Sequence, residues 1–202
     1  MSDRTRRLAA VALALGAVAF AALVVSSLGS NAGRGDSIEA DGAFLMEMAA
    51  GHESAIAMAR VALRRAEHPD LERLAARIIR TQDDEIGRMR AAHIRLFNTE
   101  LSVAAKHGGS PLAAGRSMAP PDLRALRRAK PFDRTFIDMM VAHHEEAVRM
   151  ARAAIDKGLD EGVRGLAREI VAGQSREIEM MRGWSAAWYG ARPSAPDRRA
   201  DH

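Results

Sequence analysis

The fold is decided by residues 41–90, which read DGAFLMEMAAGHESAIAMARVALRRAEHPDLERLAARIIRTQDDEIGRMR, and by their second copy, residues 133–182, which read DRTFIDMMVAHHEEAVRMARAAIDKGLDEGVRGLAREIVAGQSREIEMMR. The two stretches align without a gap at an offset of 92 residues, and 19 of 50 positions are identical. Repeats of this length mark duplicated supersecondary units that bury their apolar faces against one another. Because His, Gln, Glu and Met are repeated along with the aliphatic residues, the duplication predicts a paired core and allows a paired site.

Each copy reads as two helices joined by a short break. Aromatic residues make up only 4% of the chain, whereas Ala, Leu, Met and Arg, which favour helices, are frequent. Asp41 and Asp70 are predicted N-caps, and Gly158 is a predicted C-terminal stop. We expect helices at residues 41–67, 71–97, 133–157 and 161–189, and a short helix at residues 122–128.

A single helical hairpin cannot cover its own apolar stripe, but two hairpins packed face to face can. The sequence therefore predicts an all-α fold, a four-helix bundle at residues 41–189 in which residues 98–131 form the long connection. An α-solenoid is the competing architecture, but it needs three or more repeats. Residues 33–40 are a predicted linker, and residues 190–202 are a predicted disordered tail.

Residues 1–32 have the pattern of a membrane address. Three arginines precede an uncharged run of 21 residues, Leu8 to Leu28, which is long enough to cross a bilayer as a helix. The arginines place the N-terminus in the cytoplasm and the rest of the protein outside it. We expect a retained single-pass anchor with an extracytoplasmic domain. The triplet Ser30-Asn31-Ala32 leaves cleavage open, and cleavage would make the protein secreted.

The charge and the cysteine count exclude several classes of protein. The 30 Lys and Arg residues and 26 Asp and Glu residues are interspersed along the predicted helices, so we expect no nucleic-acid binding. The absence of cysteine excludes disulfides, zinc fingers, iron–sulfur clusters and thiolate chemistry. No motif of a hydrolase or transferase is present, and no catalytic residue is predicted. The sequence leaves a homo-oligomer open and names no protein partner.

Helical projection places the repeated polar residues on or beside the apolar face. His52 and His144 fall on the same face as the repeated Phe, Ala and Met residues, and His143 borders that face. In the first copy, Gly51 takes the place of His143. Polar groups in a core need a partner, and we expect the inward His side chains to find one in the neighbouring helix or in a bound ion. The candidate partners are Gln82, Glu85, Gln174 and Glu177.

These residues resemble a bacterial secreted family called domain of unknown function 305. The resemblance spans everything between the linker and the tail, and it implies a ferritin-like bundle of two similar two-helix repeats with a paired-histidine motif. Some members of the family are associated with periplasmic copper binding. Gly51-His52 departs from the paired histidines in the first copy. The resemblance is carried by Asp133, Phe136, Met140, His143, His144, Ala147, Met150, Ala151, Leu166, Ala167, Ile170, Gln174, Glu177, Ile178 and Met181.

The first hypothesis for the function is copper binding outside the cytoplasm. Thioether sulfur and imidazole together suit Cu(I), or a Cu(I)/Cu(II) pair, better than they suit hard cations. Glu85 and Glu177, with Gln82 and Gln174, would stand behind the imidazoles and orient them. The candidate ligands are His52, His143, His144, Met48, Met139 and Met140.

Two other functions stay open. A metal-free envelope interaction or stress module would use a buried His-Gln-Glu network to fix the register of its helices, with Met as ordinary core filler. A di-iron or di-manganese oxidoreductase would need Glu-x-x-His on two helices. Glu85 and Glu177 are each followed by Met at that spacing, so the sequence favours this third function least.

Overall fold

The computed structural model describes residues 38–101, 120–158 and 160–190, and these residues form helices and loops without any strand. The predicted membrane segment at residues 1–32 lies outside the described residues, as do residues 33–37 of the linker and the tail from residue 191. None of the helices in the described ranges combines the length and the hydropathy needed to cross a membrane. The helices are α1 (residues 38–65), α2 (Pro69–Phe97), α3 (Leu123–Arg128), α4 (Phe132–Lys157) and α5 (Glu161–Tyr189).

Three helix starts differ from the sequence-based expectation. Helix α1 already includes residues 38–40 of the predicted linker, so Asp41 lies within the helix and is not its N-cap. Helix α2 begins at Pro69 after His68, and Asp70 lies in its first turn. Pro suits this position because the first backbone N–H groups of a helix have no intrahelical partner. Helix α4 begins at Phe132, before Asp133.

The other helix ends agree with the local signals. Asp122 caps the short helix α3 by accepting the backbone N–H groups of Arg124 and Ala125, both at 2.9 Å. Asp160 caps α5 by accepting the backbone N–H of Val163 at 2.9 Å. Helix α4 ends at Lys157, and Gly158 follows as the predicted stop, although the backbone of this glycine is extended and not left-handed.

Two apolar clusters form the core, and each draws residues from all four long helices. Phe44, Met48, Met89 and Ile170 belong to the first cluster. The second cluster contains the fully buried Phe132 together with Met58, Leu74 and Met181. Because neither hairpin has a core of its own, burial of apolar surface requires both repeats, and they fold as one unit.

Asp41 and Asp133, which occupy equivalent positions in the two repeats, hold the loops of the opposite repeats. Asp133 on α4 is completely buried and accepts the backbone N–H groups of Glu67 at 3.0 Å and of His68 at 2.9 Å in the α1–α2 loop. Asp41 on α1 accepts the backbone N–H of Asp160 at 2.9 Å in the α4–α5 loop. The start of each helix thus meets the end of the other, so α1 and α4 run antiparallel.

Candidate metal centre

The middle of each long helix contributes polar side chains that belong to neither apolar cluster, a set that we call the polar layer. Its histidines and glutamines are buried, and its two glutamates are at most about one-seventh exposed. Polar groups at such positions lower the stability of a fold unless they are satisfied, so this layer is the first place to look for a site. Its members are His52, Gln82, Glu85, His143, His144, Gln174 and Glu177.

Each repeat contains the same His–Glu hydrogen bond across its hairpin. The Nε2–H of His52 on α1 donates to Oε2 of Glu85 on α2 at 2.7 Å. The Nε2–H of His144 on α4 donates to Oε2 of Glu177 on α5 at 2.8 Å. An ionised carboxylate can only accept, so the Nε2 atom must carry the hydrogen in both pairs. In the neutral ring, the lone pair then lies on Nδ1.

Those Nδ1 atoms are buried and have no hydrogen-bond partner among the residues that the structure describes. A histidine that binds a metal through one ring nitrogen commonly donates the N–H of its other nitrogen to a carboxylate, which fixes the tautomer and the ring orientation. His52 and His144 both have the carboxylate half of that arrangement. The Nδ1 atom, which would bind the metal, has no partner among the described residues in either histidine.

His143 is the histidine that the duplication does not explain. It is 9% exposed, and its ring centroid lies 6.1 Å from that of His144. Neither ring nitrogen makes a hydrogen bond of normal geometry within the described part of the chain, although the backbone of Gly51 lies close enough to favour the protonated ring slightly. His143 therefore adds two unpartnered nitrogens to the polar layer.

Burial keeps the His143 ring neutral. Desolvation, together with a smaller effect of the nearby His144 and His52 in the same direction, lowers the pKa of His143 from 6.5 to about 3. The electrostatic effect of both residues on His143 shows that imidazoles from α1 and α4 lie near one another. A neutral imidazole at physiological pH carries the lone pair that a metal ion needs.

The methionines divide between the two ends of the polar layer. Met48 packs in the first apolar cluster, whereas Met140 is in the second and Met139 packs against the second. Each of these methionines precedes a histidine by four residues, a spacing that places the two side chains on one face of a helix. The six predicted ligands thus form two groups, Met48 with His52 and Met139 and Met140 with His143 and His144.

The two buried glutamines do not share in the His–Glu hydrogen bonds. Gln82 and Gln174 are 2% and 4% exposed, and neither side-chain amide atom has a partner in the described ranges. Both Gln and Glu are candidate partners for the inward histidines, and Glu fills that role in both repeats. The amides remain as additional unsatisfied polar groups in the layer.

Two histidines outside the polar layer, His68 and His93, make structural contacts that helical projection does not predict. His93 is buried, and its Nδ1–H donates to the carbonyl oxygen of Thr99 at 2.9 Å. His68 donates its Nδ1–H to Asp133 at 2.7 Å and stacks on Trp188 with 3.8 Å between ring centroids. For His68, the sequence signal was the aspartate repeated at positions 41 and 133, because a duplicated carboxylate on a buried face needs hydrogen-bond donors.

The chemistry available in the polar layer is that of soft and borderline ligands. No three His, Asp or Glu side chains of the described residues converge on one point as a metal site would require. The unpartnered donors are imidazole nitrogens, and thioether sulfurs lie one helical turn away. Such a donor set suits copper in type better than it suits Mg²⁺, Ca²⁺ or Mn²⁺.

Comparison with known proteins identifies the family. The family model described as Domain of unknown function (DUF305) matches residues 41–197. Structures of CopM in the Cu(I)-bound and Cu(II)-bound forms are 36% and 37% identical to this chain, with TM-scores of 0.64 and 0.66; the matches cover 74% of this chain and 98% and 97% of CopM. A DUF305 protein from Streptomyces coelicolor shares the fold at 24% identity and a TM-score of 0.64, over 73% of this chain and 93% of its own. No curated protein matches the chain. The chain belongs to the DUF305 family.

Proposed function

We propose that this protein binds copper ions through the histidines of the polar layer. The similarity to CopM extends over almost the whole length of CopM. Structures of CopM have been solved in Cu(I)-bound, Cu(II)-bound and silver-bound forms. Identity of 36% over that length supports a shared ligand class. The donor types in the polar layer are consistent with the same class of ion.

The observation that carries the proposal is the state of His143. A buried polar group without a partner costs about 1–3 kcal/mol, and neither ring nitrogen of His143 has a partner of normal hydrogen-bond geometry among the described residues. Its ring is kept neutral by burial and lies beside His144. Binding a cation would satisfy a nitrogen that no described residue satisfies.

We expect the copper ion to bind in the second repeat. Its helix α4 carries the adjacent His143 and His144, each with a methionine one turn earlier, Met139 and Met140. Glu177 holds the His144 ring in the tautomer that leaves Nδ1 free. A mixed imidazole and thioether donor set favours Cu(I).

The first repeat provides fewer candidate ligands than the second repeat. His52 has its own carboxylate, Glu85, and its own methionine, Met48, but Gly51 replaces the second histidine. We expect His52 to bind from α1 as a third imidazole, a step that requires these side chains to move, because no three His, Asp or Glu side chains of the described residues converge on one point. Gln82 and Gln174 would act behind the ligands as hydrogen-bond partners once an ion or water fills the layer.

The place of action that we propose is outside the cytoplasm. The support is the sequence pattern at residues 1–32, in which three arginines precede an uncharged run that is long enough for a single span. The protein would then be a ferritin-like four-helix bundle that is tethered to the membrane, or secreted if the segment is cleaved. The chain has no cysteine, so its candidate copper ligands are imidazole and thioether groups, which cannot be lost to disulfide formation in an oxidising compartment.

A metal-free role is the second candidate, and one observation favours it. The His52–Glu85 and His144–Glu177 hydrogen bonds are present in this structure, and each fixes the register of one hairpin. A helical interaction module would need those pairs and nothing more. It would leave His143 without a role.

Titration of the full chain separates the two candidates. Cu(I), Cu(II), Zn(II) and Fe(II) are added to the wild type and to the His143→Ala/His144→Ala double variant, with His202→Ala, which alters a histidine that is not a proposed ligand, as the matched control. Copper binding lost in the double variant and kept in the control supports the proposal. No copper binding in the wild type, combined with a lower melting temperature in the double variant, supports the metal-free module. Two irons per chain with oxygen-dependent turnover would support the di-iron alternative.

A further inference from the structure

A cavity of about 160 Å³ opens between α1 and α4, at the end of the bundle where α4 finishes. Its walls are mostly apolar, with one carboxylate and one ammonium group at the margin. It shares Phe44 and Ala154 with the first apolar cluster but contains none of the proposed copper ligands. The lining residues are Ala40, Ala43, Phe44, Glu47, Met150, Ala153, Ala154 and Lys157.

The internal repeat indicates which chemical group would fit this cavity. The position that corresponds to Ala40 in the second repeat, at the same offset of 92 residues, is Phe132. Phe132 is completely buried, and the guanidinium carbon of Arg65 lies 5.1 Å from its ring centroid. Lys157 corresponds to Arg65 at that offset and lines the cavity. The cavity is therefore the counterpart of a site that is filled by a phenyl ring beneath a cation.

The volume agrees with that comparison. An engineered apolar cavity of about 150 Å³ in another protein stays free of water and binds benzene. The cavity here is of similar size, is open to solvent on one side, and is lined mainly by Phe44, Met150 and four alanines. A single aromatic ring fits a space of this volume.

The chain offers one aromatic side chain of its own from outside the described residues. Residues 1–37, 102–119, 159 and 191–202 contain Phe20 and no other Phe, Trp or Tyr. Phe20 lies within the predicted membrane segment. We therefore expect the group that fills the cavity to be a separate molecule. A Phe20 variant serves as the control for occupancy by the chain's own side chain.

Glu47 distinguishes the cavity from a purely apolar one. Its counterpart in the second repeat is Met139. Glu47 is half-buried, and its carboxyl group has no hydrogen bond or ion pair within the described ranges. A group that donates a hydrogen bond would satisfy it.

We propose that the cavity lined by Ala40, Phe44 and Glu47 binds a small molecule with a single aromatic ring that carries an O–H or N–H donor. The ring takes the place that the Phe132 side chain takes at the other end of the bundle. The donor bonds to Glu47, and Lys157 lies at the margin as Arg65 does over Phe132. This site is separate from the polar layer and does not depend on copper.

Phenol, with benzene and cyclohexanol for comparison, tests the site on the full chain. Binding is followed by NMR chemical shifts of the methyl groups of Met150 and Ala153. We expect phenol to bind the wild type, with cyclohexanol weaker because it lacks the planar ring. Ala40→Phe fills the cavity and should weaken phenol about tenfold or more, while raising the melting temperature. The exposed Ala91→Phe is the matched control and should change neither value.

A second variant tests the role of the carboxylate. Glu47→Met restores the residue of the other repeat and should weaken phenol while leaving benzene binding unchanged. Equal phenol affinity in the wild type and Ala40→Phe would overturn the proposal. Phenol binding that appears only after Phe20→Ala would also overturn it, because the cavity would then belong to the chain's own N-terminal segment. Absence of phenol binding in both the wild type and Phe20→Ala would do so as well.

Discussion

The carboxylate of Glu177 accepts the Nε2–H of His144 at 2.8 Å. The other carboxylate oxygen lies 3.7 Å from Nε of Arg77, so Glu177 connects a completely buried imidazole to a cation at the surface. The pair fixes which nitrogen of His144 is protonated and therefore which one is free. The same hydrogen bond recurs between His52 and Glu85. This repeated pair joins the two helices of each hairpin and also orients a proposed copper ligand.

Removal of the carboxylate should weaken copper binding without removing a ligand. In Glu177→Ala the His144 ring loses the group that orients it and holds its tautomer, and copper affinity should fall about 10–100-fold. Competition titration with a Cu(I) chelator measures the change. Glu179→Ala, which alters an exposed glutamate two residues away, is the matched control. Equal affinities in both variants would show that Glu177 does not support a metal ligand.

Acid should destabilise the metal-free protein through His143. The pKa of this residue is about 3 in the folded protein and 6.5 in an exposed reference state, so the unfolded chain binds more protons between these values. The free energy of unfolding therefore falls as the pH falls through that window, by about 2 kcal/mol between roughly pH 7.5 and pH 5. The contribution of His143 to the slope is half its maximum near pH 6.5 and disappears about one pH unit higher.

Urea denaturation at several pH values measures this effect. His143→Gln removes the titrating group and should flatten the dependence, whereas His202→Gln should leave it as in the wild type. An unchanged slope in His143→Gln would mean that the ring is protonated in the folded state.

Asp133 should be worth more to stability than an ordinary surface carboxylate. Asp133→Ala leaves the buried N–H groups of Glu67 and His68 without acceptors and frees the His68 ring. We expect the free energy of unfolding to fall by about 3 kcal/mol. Asp70→Ala, which removes only an exposed pair with Arg73, should change it by less than about 0.5 kcal/mol. Similar losses in the two variants would show that the loop does not depend on Asp133.

The buried glutamine should be replaceable in the metal-free protein. Gln82 has a buried amide without a partner in the described residues, so Gln82→Leu removes an unsatisfied group and keeps a similar volume. The free energy of unfolding should rise by about 1–2 kcal/mol. Thermal and chemical denaturation measure it, with the exposed Thr81→Leu as the control. A loss of stability would indicate that an internal water or ion satisfies the amide.

Local pattern accounts for the elements and for the inward direction of the site residues. The spacing of His52 from Phe44 and Met48 places all three on one helix face, and the structure buries all three. Helix starts were less predictable. Asp41 and Asp133 have the residue type of an N-cap, but each bonds the loop of the opposite repeat, and capping rules consider only neighbours in sequence.

Grouping of the site residues also required the tertiary structure. Met48 and Met140 are equivalent in sequence, yet the antiparallel course of α1 and α4 sends them to different apolar clusters. The difference between Ala40 and Phe132 is visible in the sequence, but only packing turns it into a cavity.

The sequence by itself determined the duplication, the helices and the inward polar residues, because helical periodicity and residue type are properties of neighbouring positions. The tertiary structure decided which carboxylate meets which imidazole, which methionines share a cluster and where space remains. Those outcomes depend on how two copies of one hairpin pack against each other. Packing distances between residues far apart in the chain are not encoded in any local pattern.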